Sequence, residues 1–261
     1  MTAHPAYGVV REVTPFASVL LEDNPGVMTL DGTNTWLLRA PGAAGAVVVD
    51  PGEADVAHLE RVVAAAGAVE AVLITHHHHD HVGGAEWLSE RTGAPVRAFD
   101  AALCAGGAPL RHGEGLSLAG LDLEVLHTPG HTADSVCFAV AHDGVEAVLT
   151  GDTVLGRGTT VIIPPDGTLG DYLDSLRLLA GRGAAAVLPG HGPDLADLGA
   201  VAGMYLAHRE QRLAQVRAAL VELGEGAGAR QVVELVYRDV DRALWPAAEL
   251  SVAAQLAYLR G

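Results

Sequence analysis

The sequence predicts an α/β fold in which β-sheets are covered by helices, followed by a small helical module at the C-terminal end. Short β-branched segments alternate with Ala/Leu-rich segments of helical period between residues 35 and 188. These strands are too numerous for strict alternation with helices, which favours a sandwich of sheets. Beyond Met204, apolar residues recur at helical spacing, which predicts a module of three helices.

Seven segments are typical of strands because β-branched and aliphatic residues follow one another between turns rich in glycine and proline. They are TWLLR (35–39), AVVVD (46–50), EAVLIT (70–75), PVRAF (95–99), LDLEVLH (121–127), SVCFAV (135–140) and EAVLTGD (146–152). Helices are predicted at residues 55–66, 85–92, 171–182, 196–223, 230–237 and 247–259. We place the domain boundary at Met204, which separates a larger domain (1–204) from the module (205–261).

The composition predicts a globular protein without a membrane span. Of the 261 residues 49% are hydrophobic, yet no apolar run reaches the roughly 18 residues that cross a bilayer. The start MTAHPAYGVV lacks the basic and apolar regions of a signal peptide, so we expect a cytoplasmic protein. Cys104 and Cys137 stand in unrelated contexts, which indicates core residues and neither a disulfide framework nor a redox motif.

The charge distribution argues against a polyanionic partner. The net charge is −16, and all sixteen basic residues are arginines. Residues 1–204 hold nine arginines against twenty-five carboxylates, whereas residues 205–261 hold seven of each. Because an acidic body does not attract phosphates at long range, we expect a small-molecule substrate and weak binding of nucleic acid. The apolar stripe of the module would pack against the larger domain or form a subunit contact in a homo-oligomer.

The segment THHHHDHVGG, residues 75–84, predicts a metal site. Alternate side chains of an extended loop face the same way, so His76 and His78 converge on one metal while the histidines between and after them point elsewhere. Asp80 and His81, at the turn into the next helix, reach a second metal. The alternative interpretation is a solvated histidine tract or a purification tag, but a tag sits at a terminus and does not require the Asp-His-x-Gly-Gly that follows.

Three further polar residues follow strands in glycine-flanked turns, where a packed scaffold presents functional side chains. They are His131 in TPGHT, Asp152 in TGDT and His191 in PGHG. His131 completes a three-nitrogen set with His76 and His78, which suits catalytic zinc. His191 completes a second set with Asp80 and His81, and the two oxygens of Asp152 can bridge both ions. The sequence thus predicts two zinc ions, and the absence of a thiolate ligand also suits iron or manganese.

These motifs resemble those of the metallo-β-lactamase superfamily, whose signature is T-H-x-H-x-D-H followed by separated His, Asp and His. The segments NPGVMTLDGTNTWLL, LHTPGHTADS, TGDTVLGRGTTVI, LPGHGP and YLAHREQRLAQVRAAL look like one branch. That branch includes a single-stranded-RNA endoribonuclease and many bacterial hydrolases, with polyketide-releasing thioesterases nearby. The resemblance covers nearly the whole chain and implies a metallo-β-lactamase αββα sandwich with a C-terminal winged-helix-like module. Two departures are His79, where the family has an aromatic or aliphatic residue, and the lack of a wing hairpin before Gly261.

The predicted ligand sets imply a hydrolytic mechanism. Two adjacent divalent ions lower the pKa of a bridging water to about 7, which makes hydroxide available as the nucleophile at neutral pH. Asp80 would orient this nucleophile and carry its proton toward the leaving group. Asp50, at the end of AVVVD, is expected to orient the metal-binding loop by hydrogen bonding, because ligating imidazoles usually donate their free N–H to an acceptor. A turn aspartate before Pro-Gly is the alternative interpretation of Asp50.

Four functions are compatible with this site, and hydrolysis of a small ester or thioester is favoured. An endoribonuclease is the alternative, which the acidic body and the missing wing disfavour. A β-lactamase is disfavoured because the well-known dizinc lactamases lack a bridging carboxylate and some use a lysine that this chain does not have. A winged-helix DNA-binding regulator would leave the seven ligands unexplained. Candidate substrate-binding residues are Asn34, Arg157, Thr159 and Thr160; Arg157 would clamp an anion or lie in a surface loop.

Overall fold

The computed structural model of the chain describes residues 7–261 and contains two β-sheets stacked face to face between helices. The first sheet has the order β1-β2-β3-β4-β5-β6, with β1 at Val10–Thr14, β2 at Ala17–Leu21, β3 at Asn34–Leu38, β4 at Gly45–Val49, β5 at Ala68–Leu73 and β6 at Val96–Arg97. The second sheet has the order β11-β10-β9-β8-β7, with β7 at Gly115–Leu118, β8 at Leu121–His127, β9 at Val136–His142, β10 at Val145–Gly151 and β11 at Ala186–Pro189. Both sheets are mixed, because β4-β5, β5-β6 and β10-β11 are parallel pairs.

Among the described residues, seven α-helices cover the outer faces of the sheets and form the C-terminal module. They are α1 (Val56–Ala66), α2 (His79–Val82), α3 (Ala85–Thr92), α4 (Leu169–Ala180), α5 (Leu198–Leu223), α6 (Ala229–Val236) and α7 (Trp245–Arg260). Side-chain oxygens of Asp55, Thr168 and Asp197 accept backbone N–H groups at the starts of α1, α4 and α5. These caps satisfy donors that have no partner within a helix, and they fix where each helix begins.

The central strands of the sandwich, such as β3 and β4, are buried on both faces, which explains their continuous apolar sequence. Trp36 and Leu38 of β3 face the layer between the sheets, together with Phe138 of β9. Leu37, between them in the chain, faces α1 and α3 on the outside of the first sheet. Helices α4 and α5 cover the second sheet in the same way, with Tyr172 and other residues of α4 in their shared core. The layers are therefore helix, sheet, sheet, helix, and the predicted sandwich is confirmed.

The structure differs from the predicted elements mainly in its short and edge strands. All seven predicted strands and six predicted helices are present with ends that shift by a few residues. The sequence analysis did not assign β1, β2, β7, β11 or the one-turn helix α2. Strands β1 and β7 lie at sheet edges; β1 has no buried residue and β7 exposes alternate residues, so both lack the apolar run on which the prediction rests.

One edge of the sandwich collects the loops that carry polar side chains. Strands β4, β5, β8, β10 and β11 all end at this edge, and the loops that follow them contain the predicted ligands. The two sheets are joined there by backbone hydrogen bonds, in which Val136 N donates to Thr75 O at 2.8 Å and Asn34 N donates to Gly190 O at 2.8 Å. This edge is therefore both rigid and rich in potential ligands.

The C-terminal helices pack around a core of their own. Val216 and Leu220 of α5 contact Val233 of α6 and Val252 of α7 in this cluster. The predicted boundary at Met204 falls inside α5, so one continuous helix runs from the sandwich into the module. Within residues 7–261, no helix is long and apolar enough to cross a membrane.

Candidate metal centre

Three histidine nitrogens form the first donor set. Nε2 of His76 and Nε2 of His131 each lie 3.0 Å from Nδ1 of His78. His76 and His78 come from the loop after β5, and His131 comes from the loop between β8 and β9. All three donor atoms lie within 4.8 Å of one another, which is compact enough for one ion.

The second donor set contains a carboxylate and two histidines. Oδ2 of Asp80 lies 3.1 Å from Nε2 of His191 and 3.6 Å from Nε2 of His81. The two ring nitrogens are 3.2 Å apart. His191 follows β11, so this set also draws on both sheets.

Asp152 lies between the two sets. Its Oδ2 is 3.7 Å from Nε2 of His131 and 3.5 Å from Nε2 of His191, while its Oδ1 is 3.5 Å from Nε2 of His81. Oδ1 is buried and has no hydrogen-bond partner. Gly190 packs directly against this carboxylate: a Cβ at residue 190 would lie 2.7 Å from Oδ1 of Asp152, so no larger residue fits there. The carboxylate is thus held between the sets without a donor of its own.

The other ring nitrogen of each of four ligands is fixed by an acceptor behind it. His131 Nδ1 donates to the carbonyl oxygen of Val161 at 2.8 Å, and His191 Nδ1 donates to that of Gly32 at 3.1 Å. Because a carbonyl only accepts, Nδ1 of each ring carries a proton, and Nε2 is the nitrogen that can bind metal when the ring is neutral. The outer partners therefore select the tautomer that binds metal.

Asp50 supports both sets through one carboxylate. Its Oδ2 accepts from His81 Nδ1 at 2.8 Å and from Thr75 Oγ1 at 2.7 Å, and its Oδ1 accepts from Thr75 N at 2.8 Å. With its proton directed to Asp50, the Thr75 hydroxyl accepts from His76 Nδ1 at 3.0 Å. Asp50 is 2% exposed and has a φ of 51°, a left-handed conformation that aspartate tolerates better than most residues. These contacts place Asp50 directly behind the ligand loop.

The electrostatics of the two sets differ. Burial, with the neighbouring rings of His131 and His77, lowers the pKa of His78 to about 4, and burial also lowers the pKa of His76 well below its usual range. Both rings are neutral at pH 7 and can bind a cation without losing a proton. In the second set, burial lowers the pKa of His81, but the carboxylates of Asp152 and Asp50 outweigh it and raise that pKa. The second set therefore attracts a positive charge.

The residues present fit two divalent cations. Nδ1 of His78 can place a proton toward only one of the two Nε2 atoms, which leaves another pair of nitrogens 3.0 Å apart with no proton between them. Facing lone pairs and the orphaned Oδ1 of Asp152 are unfavourable unless a cation lies among them. Imidazole and carboxylate donors without thiolates suit zinc, iron and manganese alike.

The remaining histidines of the run lie outside these sets. His77 is exposed and its Nδ1 is 2.9 Å from Oδ1 of Asp134, while His79 is exposed at the start of α2. Another group of possible ligands, His77, His78 and Asp166, lies at the rim and shares His78 with the first set.

A small cleft of about 90 Å³ opens beside Asp152 and His131. Its wall combines apolar residues of the loop between β2 and β3 with the segment after β10. The lining residues are Val27, Met28, Leu30, His131, Asp152, Leu155, Arg157, Gly158, Thr159, Thr160 and Val161. Val27 is 93% exposed and Met28 is 55% exposed, so a free apolar surface lies at the mouth of the cleft.

The four residues expected to bind substrate have different environments. Arg157 donates to both carboxylate oxygens of Asp31, one contact at 2.9 Å, so its guanidinium is already paired with an anion of the chain. Both amide N–H groups of Asn34 are used by the carbonyl oxygens of Pro189 and Gly192, at 2.9 and 2.8 Å, so Asn34 braces the loop that carries His191.

The two threonines of the cleft wall also differ. The Thr160 hydroxyl donates to the carbonyl oxygen of Asp152 at 2.7 Å and is buried. Thr159 is exposed in the cleft wall, where its hydroxyl can meet a bound molecule. Of the four, Thr159 alone lines the cleft with a side chain that makes no hydrogen bond within residues 7–261.

The sequence analysis missed residues that act on the site through their backbone or through distant pairing. The acceptors for His131 and His191 are carbonyl groups of Val161 and Gly32, and every residue type has a carbonyl. Asp31 had no signal because its partner Arg157 is 126 residues away in the chain. Thr75 is the first residue of the THHHHDHVGG segment, and its position directly before the histidine run was the signal that could have identified it.

Comparison with known proteins assigns the sandwich and the C-terminal module to two known families of domains. The model of the metallo-beta-lactamase superfamily matches residues 28–191, and that of the beta-lactamase associated winged helix domain matches residues 229–260. The chain is 33% identical to the Beta-lactamase-like protein 2 homolog of Drosophila melanogaster, over 96% of this chain and 89% of the relative. All seven candidate ligands fall within residues 28–191.

Two solved structures share the architecture. A Beta-lactamase domain protein from Burkholderia ambifaria superposes with a TM-score of 0.80 at 25% identity, covering 100% of this chain and 91% of that chain. The protein TTHA1623, solved in a di-iron-bound form, superposes with a TM-score of 0.53 at 28% identity, covering 66% of this chain and 92% of that chain. The first similarity includes the C-terminal helices, whereas the second is limited to part of the chain.

Proposed function

The chain belongs to the metallo-β-lactamase superfamily of metal-dependent hydrolases, and we propose that it hydrolyses a small ester or thioester with two bound metal ions. The observation that carries the proposal is the position of Asp152, whose two oxygens lie within 3.7 Å of nitrogens from both donor sets. His76, His78 and His131 would hold one ion, and Asp80, His81 and His191 the other. When bound, the ions would lower the pKa of a water and polarise the oxygen of the scissile bond.

Asp80 is the residue that would handle the proton. Burial raises its pKa, but the hydrogen bond from His191 and the charges of His81 and His191 outweigh burial and hold that pKa well below its usual range. The carboxylate is therefore ionised at neutral pH, and its side chain is 22% exposed. It can accept the proton of the attacking water and pass it to the leaving group.

The cleft supports a neutral acyl substrate with an apolar part. Val27, Met28 and Leu30 offer apolar contacts beside the centre, and Arg157 is already paired with Asp31. A substrate carboxylate would have to compete with Asp31 for the guanidinium. The shape and charge of the cleft thus favour an ester or thioester over an anionic substrate.

Zinc is the proposed metal, and iron or manganese are the alternatives. The three-nitrogen first set is typical of catalytic zinc. The di-iron-bound form of TTHA1623 shows that a protein of similar fold holds iron. Metal analysis of protein expressed without metal supplement, followed by reconstitution with each ion, distinguishes these metals.

A side-by-side turnover screen tests the proposed substrate class. Metal-analysed protein is assayed with a panel of esters and thioesters, with single-stranded RNA and with a chromogenic cephalosporin. We expect chelator-sensitive hydrolysis of acyl substrates, and we expect Asp152→Ala, purified in parallel, to lack it. RNA cleavage by the wild-type chain, with no acyl hydrolysis above that of Asp152→Ala, would contradict the proposal.

Cleavage of single-stranded RNA is the second candidate. The match of residues 229–260 to a winged-helix model favours it, because helix-turn-helix modules commonly contact nucleic acid. The net charge of −16 and the internal pairing of the module's arginines oppose it. The same screen decides between the two candidates.

A further inference from the structure

The segment from Asp152 to Val161 touches both metal sets. It begins with the shared carboxylate of Asp152 and ends with the carbonyl of Val161, which accepts from His131 Nδ1 at 2.8 Å. Between them, the Thr160 hydroxyl donates to the carbonyl oxygens of Asp152 at 2.7 Å and Thr153 at 3.3 Å, which folds the segment back on itself. Any shift of this segment would move the bridging carboxylate and the orientation of His131 together.

Helices α4 and α5 hold this segment from behind. The Tyr172 hydroxyl donates to the carbonyl oxygen of Thr153 at 2.8 Å, and the Tyr205 hydroxyl donates to that of Leu155 at 3.3 Å. Arg209 donates from its guanidinium to the carbonyl oxygen of Thr160. Its Cζ also lies 5.2 Å from the centre of the Tyr172 ring.

Arg209 is an unusual buried cation. It is 4% exposed, its Nε has no hydrogen-bond partner, and within residues 7–261 no ion pair joins it to a carboxylate. A buried charge without a counter-charge is costly, and an apolar side chain of similar volume would commonly leave a fold equally stable or more stable. Stability of the core therefore does not account for an arginine at this position.

We propose that Arg209 is a positioning residue that fixes segment 152–161, and with it Asp152 and His131, in the geometry that binds metal. This inference rests on the proposed function of the centre and goes beyond it by assigning a role to the C-terminal helices. Helix α5 carries Arg209 toward the sandwich and Val216 and Leu220 into the core of the module. The module thereby acts on the metal centre through one helix and does not need to contact substrate.

The test replaces Arg209 with methionine, which keeps the length and apolar stem of the side chain but removes its donors. Arg217→Met is the matched control, because Arg217 lies exposed on the same helix. Metal affinity is measured by competition with a chelator, and the cobalt-substituted protein is examined by visible absorption. We expect Arg209→Met to weaken metal binding by about 10–100-fold, the range for residues that orient a ligand, and to change the cobalt spectrum. Arg217→Met should match the wild type in both measurements.

The thermal unfolding midpoint of the metal-free protein separates positioning from a merely structural role. We expect that midpoint to differ between Arg209→Met and the wild type by only a few degrees. A large fall in the midpoint with unchanged metal affinity and an unchanged cobalt spectrum would overturn the proposal.

A second variant covers the case in which Arg209→Met does not fold. Thr160→Val retains the carbonyl that Arg209 contacts and removes the hydroxyl bound to the Asp152 carbonyl. We expect it to weaken metal binding in the same range, because it loosens the same segment. Unchanged binding would show that the position of segment 152–161 does not set the geometry of the ligands, which would overturn the proposal. Because these readouts need no substrate, they separate two failures. If the wild-type chain binds fewer than two ions, the proposed function is contradicted. If the wild type and Arg209→Met both bind two ions with equal affinity, only the positioning role of Arg209 is contradicted.

Discussion

The metal centre and the C-terminal module both contain many charged and polar side chains. In the centre some of their donor atoms are left without a partner, whereas in the module the charged groups are paired with one another. In the centre, the outer nitrogens of His76, His81, His131 and His191 are satisfied from behind, while the inner nitrogens face one another. In the module, Arg230 donates to Glu234 at 2.8 Å and to Glu249 at 2.7 Å. A cluster of polar side chains is therefore a candidate binding site only where several of its donor atoms lack a partner and face the same point.

The aromatic contacts of the module strengthen this difference. Arg230 and Arg242 both stack on Trp245, at 4.8 and 5.3 Å, and Arg212 stacks on Tyr237 at 5.0 Å. Arg260 donates to the carbonyl oxygens of Glu225 and Ala227 at 2.7 Å each and joins α7 to the loop between α5 and α6. These cations hold the module together, whereas the donors of the centre are left unpaired and are free to bind an added cation.

Removing the shared carboxylate should give the largest effect. Asp152→Ala deletes an oxygen that lies near nitrogens of both sets, so we expect the bound metal to fall below one ion per chain and hydrolysis to fall by more than about 100-fold. His77→Ala and His79→Ala are the controls, because both side chains are exposed outside the two sets, and they should keep both ions. By contrast, His76→Ala or His78→Ala should deplete the first set. Equal metal loss in His77→Ala and His76→Ala would show that the assignment of alternate histidines is wrong.

Replacing the residue behind the ligands should have a smaller effect. Asp50→Asn keeps the size and tolerates the φ of 51°, but its amide N–H₂ group would face the N–H of His81 or the hydroxyl of Thr75. We expect metal affinity to fall by about 10–100-fold while the protein stays folded. Isothermal titration of the metal-free variants measures this. A metal affinity equal to that of the wild type would mean that Asp50 only stabilises the turn before Pro51 and does not orient the ligands.

A buried histidine outside both regions offers a reference for the effect of pH. Burial lowers the pKa of His58 to about 4, and its Nε2 lies 2.9 Å from Thr35 Oγ1. Because the unfolded chain takes up a proton near pH 6.5 and the folded chain does not, His58 reduces the free energy of unfolding as pH falls from about 6.5 to 4. The reduction reaches about 3 kcal/mol at pH 4.

His58→Gln removes this dependence and keeps a partner for Thr35. Denaturant unfolding of the metal-loaded proteins should therefore show a shallower loss of stability in His58→Gln than in the wild type between pH 6.5 and 4.5. Parallel curves would contradict the assigned pKa. The same difference should appear in the metal-free proteins, because His58 belongs to neither donor set.

Nucleic acid should bind weakly, which is the smallest effect expected. We expect dissociation constants of about 10⁻⁴ M or weaker for single-stranded RNA and duplex DNA at physiological salt, the weak end of non-specific binding. Replacing Arg157, Arg238 and Arg242 together should change little. Tight RNA binding that this triple variant loses would show that the arginines form a groove, and it would favour the endoribonuclease.

The architecture and the candidate ligands could be predicted from the sequence because they depend on local patterns. The apolar runs of β4 and β5 and the THHHHDH segment are signals within a few residues of chain. Strand β2, buried along most of its length, carried a similar signal that the sequence analysis did not use. Strand β11 has four residues ending in proline and is recognisable only by its parallel pairing with β10.

The contacts around the ligands were not accessible because they join distant segments. Asn34 braces the loop of His191 from 155 residues away, and Asp31 reaches Arg157 across the mouth of the cleft. The role proposed for Arg209 likewise requires α5 to cross behind segment 152–161. Sequence indicates which residues can act, whereas the three-dimensional structure shows which of them already have a partner.

Metal stoichiometry tests the central claim most directly. The chain is purified without a metal-binding tag, freed of metal, reloaded with zinc and analysed for zinc per chain while hydrolysis is followed in the same sample. The account predicts close to two ions per chain, with activity that a chelator removes and that returns as the second ion binds. Full activity with one ion or none would contradict it.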